Sequence, residues 1–164
     1  MTDSYDRFND ECGVVGVFGL EEASNLTDLG LHSLQHRGQE GAGIVSCRDN
    51  QFFQYRARGL VGDVFGAEEI GRLHGSMAVG HVRYSTTGEN ALKNVQPLCA
   101  TYRYGQVAIS HNGNIVNAKE LRKQLEHQGS IFSSTSDTEV ILHLLARSSQ
   151  TTFVNRLVEA LSFL

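Results

Sequence analysis

Proline is almost absent from this sequence, one residue in 164. Tight turns and close backbone approaches therefore fall to glycine, abundant at 17. Cysteine is sparse as well. The three thiols, Cys12, Cys47 and Cys99, are an odd number, which makes no disulfide framework, and no two stand in the CxxC spacing of a zinc site. No apolar run approaches the roughly 20 residues that span a bilayer. Lys and Arg are scattered, the net charge is -4 and the pI about 5.9, which argues against nucleic acid or a membrane as partner. The opening MTDSYDRFNDE has neither the basic nor the apolar segment of a secretory signal, so the expectation is a cytoplasmic protein. What is left is a chain of single-domain length, 40% hydrophobic and 20% charged, suited to a small zwitterionic ligand.

After the polar tail, CGVVGVFGL has the continuous apolar character of a strand buried on both faces, with Cys12 at its mouth. Residues 23–36 space Leu26, Leu29, Leu31 and Leu34 at near-helical intervals and stop at the glycines of HRGQEGAG. AGIVSC, QFFQYRARG, SMAVGHVRYST, PLCATYRYG and QVAISHNGN each set β-branched or aromatic residues between turn signals, and the last two predict a hairpin. Asn117 with Glu120 opens a helix that shows Leu121 and Leu125 on one face, and Ser136 to Glu139 reads as a capping box before VILHLLA. TTFVNRLVEALSFL predicts a last amphipathic helix with Val154, Leu157, Val158 and Leu161 on one side. Strands followed by helices describe an α+β layered fold.

Several residues in this layout suit chemistry, and each has a plainer reading. Cys12 stands behind a detachable peptide; cut free, it would carry thiol and α-amine together, nucleophile and base in one residue. A small buried thiol is the plainer account. In His-Asn-Gly-Asn, 111–114, the Asn112 amide and the Gly113 N–H form a donor pair for an oxyanion, or simply a turn. Arg83, at a strand end before Ser85, Thr86 and Thr87, suits a carboxylate, and Asp137 suits an ammonium group. Taken singly they read as a surface cation and a helix-dipole anion. Arg37 within HRGQEG joins a cation to flexible glycines, as a helix C-terminus also does. The remaining cysteines and histidines suggest no metal geometry.

ECGVVGVFG, LQHRGQEGAG, GHVRYSTTG, ISHNGNI and SDTE, in this order, resemble the class II glutamine amidotransferases. The likeness runs from Cys12 to about Val140. It is nearest to the branch that makes 5-phosphoribosylamine from phosphoribosyl pyrophosphate, the first committed step of purine synthesis. The resemblance implies an N-terminal-nucleophile hydrolase fold, a four-layer α/β/β/α sandwich, over 12–164, with residues 1–11 a removable propeptide. It implies Cys12 as nucleophile, Asn112 and Gly113 as oxyanion hole, and Arg83 with Thr86 on the substrate carboxylate. Asp137 would accept the α-ammonium, and Arg37 would help to order the site. Glutamine would be cleaved through a γ-glutamyl thioester, with no cofactor for that half. Mg2+ and an iron–sulfur cluster are expected, if at all, only in a phosphoribosyltransferase domain, the implied partner, together with further copies in a homo-oligomer. That domain is not in this chain, which also reads as short of the final strands of its own. The expectation is a truncated unit with an open sheet edge and an uncovered helix face. Alternatives are the glutaminase domain of another class II enzyme, an amidase acting on another amide, or a non-catalytic glutamine-binding module.

Overall fold

The computed structural model describes residues 12–84 and 91–164. The proposed propeptide and Thr86 lie outside the described residues.

The described residues form six strands: β1 (Gly13–Phe18), β2 (Gly41–Arg48), β3 (Gln51–Arg58), β4 (Met77–Arg83), β5 (Leu98–Tyr102) and β6 (Gly105–Ile109). The first four form one antiparallel sheet in the order β1-β4-β2-β3, and β5 and β6 pair as the predicted hairpin. Strand alternation sorts the side chains of the larger sheet onto two faces. One face takes helix α1 (Ala23–Ser33). There Leu31, Ile44 and Val82 are fully buried with Val61 of the short helix α2 (Val61–Val64). Each such side chain contributes roughly 1.5–3 kcal/mol on burial. A second short helix, α3 (Ala67–Gly71), closes the same cluster through Ile70.

The opposite face is covered by the segment leading into β5. Arg56 Nη1 donates to the carbonyls of Val95 and Pro97, at 2.7 and 3.3 Å, and Phe52 N–H donates to Gln106 of the hairpin. Beyond the hairpin lie α4 (Ala118–His127), α5 (Glu139–Arg147) and α6 (Phe153–Leu161). Val107, Leu145 and Ala160 form the core between hairpin and helices, and Leu121, Leu125 and Val140 the core between α4 and α5. The order is helix, sheet, sheet, helices: the α+β, α/β/β/α arrangement expected. Among the described residues no helix is long and apolar enough to cross a membrane.

Two local expectations, the burial of β1 and the capping box, are corrected, and two helices gain a defined packed face. β1 is not buried on both faces: it sits at the edge of the sheet, so Val15 and Val17 pack on the core while Val14 and Phe18 face outward. In α1 the inward stripe is Ala23, Thr27 and Leu31, whereas Leu26 and Leu29 are exposed. The capping box does not form. Glu139 turns away from the Ser136 N–H and accepts instead from the N–H and hydroxyl groups of Ser133 and Ser134. In α6 the apolar stripe at Val154, Val158 and Leu161 faces outward, the uncovered helix face that was expected, and the packed side is Arg156, Ala160 and Leu157. Arg156 is held there by donation to the Gln150 and Thr151 carbonyls and by stacking over Tyr104.

Candidate active site

Alternation along β4 decides what faces the space between the two sheets. Gly80 and Val82 point at α1, since a Cβ on Gly80 would run into Thr27 and Leu31. His81 and Arg83 must then project the other way. Gly13 pairs with Val82, which brings Cys12 level with the end of β4. The Tyr84 N–H donates to Cys12 Sγ at 3.3 Å and the thiol points back to the Tyr84 carbonyl at 3.4 Å.

These residues border a cavity of about 630 Å³, within the roughly 300–1,000 Å³ range of small-molecule sites. Cys12, Arg83, Gly113 and Asp137 all line it, with His81, Asn94, Gln96, His111 and Thr135. Thus four of the residues singled out from sequence share one space although they stand at positions 12, 83, 113 and 137. Two others do not line it. Asn112, between the lining residues His111 and Gly113, is exposed. Arg37 lies behind Cys12, its Nε donating to the Cys12 carbonyl at 3.3 Å, where it holds the backbone of the thiol residue.

Arg83 is buried, donates through Nη1 to the Asn94 carbonyl at 2.7 Å and has Glu40 at 3.8 Å from Nε. Its direction into the cavity is therefore fixed before any ligand arrives. Asp137 accepts the N–H of Ile115 and of Thr138, each at 2.8 Å. A carboxylate has about four acceptor positions, so it retains capacity for an ammonium group. Gly113 has φ +152°, and a Cβ there would lie 2.9 Å from His111 Nε2. Glycine alone suits that turn.

Of the titrating groups displaced from their usual range, His81 lines the cavity and Glu139 stands two residues after Asp137. Burial pushes the His81 imidazole down to about 4, helped by the Arg83 and His111 charges and partly opposed by the His111 backbone. His81 is thus neutral near pH 7. Burial pushes Glu139 up, but donation from Ser133 and Ser134 outweighs it, and the carboxyl ends below its ordinary value. Among the described residues no three His, Cys, Asp or Glu side chains gather in a way that would hold a metal ion.

His81, Asn94, Gln96 and Glu40 escaped the sequence reading. Their partners are far away in the chain, such as Thr135 for Asn94 and Thr138 for Gln96, and no local pattern marks a buried polar pair of that kind. The polar alternation Asn94-Val95-Gln96 before Pro97 was the one available signal.

A family model described as "Glutamine amidotransferase domain" matches residues 81–163. An amidophosphoribosyltransferase of Vigna aconitifolia, named chloroplastic, is 58% identical over 155 residues, covering 94% of this chain and 32% of its own length. The solved structure of "the allosteric regulatory enzyme of purine biosynthesis" superposes with a TM-score of 0.87 at 48% identity, over 92% of this chain and 32% of that one. A glutamine phosphoribosylpyrophosphate amidotransferase from B. subtilis, complexed with ADP and GMP, gives 0.85 at 47% identity with the same coverage. The chain spans about a third of the length of these relatives.

Proposed function

The chain belongs to the glutamine amidotransferase domain family, and from that premise we propose that it is the glutamine-cleaving unit of an amidophosphoribosyltransferase. The observation that carries this reading is the convergence of Cys12, Arg83, Gly113 and Asp137 on one cavity.

In this reading Arg83 and Thr86 bind the α-carboxylate of glutamine and Asp137 its α-ammonium, which leaves the side-chain amide toward Cys12. The amino acid is thus gripped by its invariant end and attacked at its distal one. Removal of residues 1–11 turns the Cys12 nitrogen from an amide into an amine able to take the thiol proton. Sulfur then adds to the amide carbon. The oxyanion accepts from the Gly113 N–H and from the Asn112 side chain, which must swing inward from its exposed position. Such donors contribute roughly 2.7–4 kcal/mol each to the transition state. Collapse breaks the C–N bond, the amine returns its proton to the departing nitrogen, and ammonia leaves behind a γ-glutamyl thioester on Cys12. Water then adds to the thioester carbon, the C–S bond breaks, and glutamate is released.

The ammonia would pass to a phosphoribosyltransferase domain to give 5-phosphoribosylamine; in this reading the full-length enzyme is a cytoplasmic homo-oligomer. The printed name of the Vigna relative supports that acceptor chemistry. No cofactor is required for the steps above, and Mg2+ or an iron–sulfur cluster would belong to the acceptor domain.

A glutamine-mimicking electrophile tests the reading. It is expected to attach to Cys12, with glutamine protecting in competition. Attachment elsewhere would overturn the role given to Cys12, and no attachment while glutamine still binds would leave a binding module instead.

A further inference from the structure

Strand β6 ends at Ile109, so the hairpin ladder offers no partner to the His111 N–H that begins the 111–114 turn. That N–H donates instead to Gln96 Oε1 at 2.7 Å. The other end of the same amide, Nε2, donates to Thr138 Oγ1 at 3.1 Å. Thr138 is the residue whose backbone N–H is accepted by Asp137, and its hydroxyl lies 3.4 Å from His111 Nδ1. Gln96, His111 and Thr138 therefore close a ring.

The base of this ring cannot drift. Strand β2 backs directly on the Gln96 carbonyl at Gly43, where any Cβ would overlap it, and the carbonyls on either side, of Val95 and Pro97, are held by Arg56. Gln96 is buried, so its hydrogen bonds face little competition from water. Two residues earlier Asn94 makes a parallel bracket. Its side chain pairs with the Thr135 N–H and hydroxyl at 2.9 and 2.8 Å, and its carbonyl takes Arg83. The Asn94 bracket thus holds Arg83 and Thr135, and the Gln96 bracket joins the turn assigned to the oxyanion to the Thr138 hydroxyl beside Asp137.

We propose that Gln96 is a positioning residue that fixes the oxyanion-donating turn against the Asp137 segment, and so acts on the chemical step rather than on glutamine binding. The inference rests on the glutaminase reading given above. Oxyanion stabilisation depends on donors held in place before the charge develops, and small misplacements are costly.

The test compares Gln96→Leu, which removes both hydrogen bonds, with Gln96→Glu, which keeps an acceptor for the His111 N–H and can accept from a rotated Thr138 hydroxyl. Both are made in the intact enzyme. For Gln96→Leu, kcat for glutamine hydrolysis is expected to fall about 10- to 100-fold with KM held within about threefold. Gln96→Glu should recover most of kcat. The His111 amide, read by hydrogen exchange, should lose protection in the first variant and keep it in the second. Unchanged kcat, unchanged exchange, a KM that rises in step with the loss of kcat, or a Glu variant as damaged as Leu would each overturn the proposal.

Should Gln96→Leu not fold, Thr138→Val and Thr138→Ser carry the same comparison from the other end of the ring: loss for Val and recovery for Ser support it, and equal damage overturns it. A wild-type enzyme that cleaves no glutamine would sink the functional reading, while the exchange measurement would still judge the bracket.

Discussion

His81 makes the stability of this fold depend on acidity over a definite range. The imidazole is fully buried on the inner face of β4, facing Arg83 and His111, and its pKa is pushed from 6.5 to about 4. At pH 7 it is neutral in the folded chain and mostly neutral in the unfolded one, so its contribution to pH dependence there is small. As pH falls below 6.5 the unfolded chain binds a proton that the folded chain refuses, and stability is lost until the folded group titrates near 4. A displacement of that size corresponds to about 3 kcal/mol lost across the window, at a slope of at most about 1.4 kcal/mol per pH unit. Urea unfolding at pH 7, 6 and 5 reads the effect, with His81→Leu beside the wild type. The slope attributable to His81 is the difference between the two, which cancels the other histidines, including His143, whose burial also lowers it. The variant should lose less stability than the wild type on acidification, whatever its stability at pH 7. Parallel pH profiles, or a wild type that gains stability toward pH 5, would refute the reasoning.

Three further outcomes follow from the same geometry. Arg83→Lys loses the planar fork that Asn94 and Glu40 orient, and should weaken glutamine binding about 10- to 100-fold by competition against electrophile labelling. Gly113→Ala must place a methyl against His111 at a backbone angle that suits glycine, and kcat should fall about 10²- to 10³-fold as the turn moves. Glu139→Ala leaves the Ser133 and Ser134 N–H groups without their acceptor, each a loss of about 1–3 kcal/mol in chemical denaturation. Because the folded Glu139 pKa is lowered from 4.5, its contribution is present above that value and disappears as pH falls below it. The Ala variant should therefore show a flatter acid limb.

Much of the fold was legible because strands declare themselves through alternation and glycine turns. β2, β3, β5 and β6 fall where the β-branched and aromatic runs stand, and the hairpin pairs as predicted. Position within the assembly was not legible. The apolar run of β1 looks doubly buried but lies at a sheet edge, although the outward stripe of α6 does match the uncovered helix face that was expected. Periodicity gives a side, not what covers it. In the site, Cys12, Arg83, Gly113 and Asp137 stood in recognisable motifs, and the fold brings them to one cavity. The residues that support them were hidden. Asn94 and Gln96 are ordinary polar residues in sequence, and only the tertiary fold gives them buried partners some forty positions away.

The central claim is that Cys12 sulfur bonds to the glutamine side-chain carbon. Acid quenching of the enzyme during turnover of carbon-labelled glutamine, followed by peptide mapping, tests it most directly. The account predicts label on the peptide that begins at Cys12, displaced by hydroxylamine, and both label and turnover lost in Cys12→Ala. Glutamine turnover that survives that substitution, or label bound to any other residue, would contradict it.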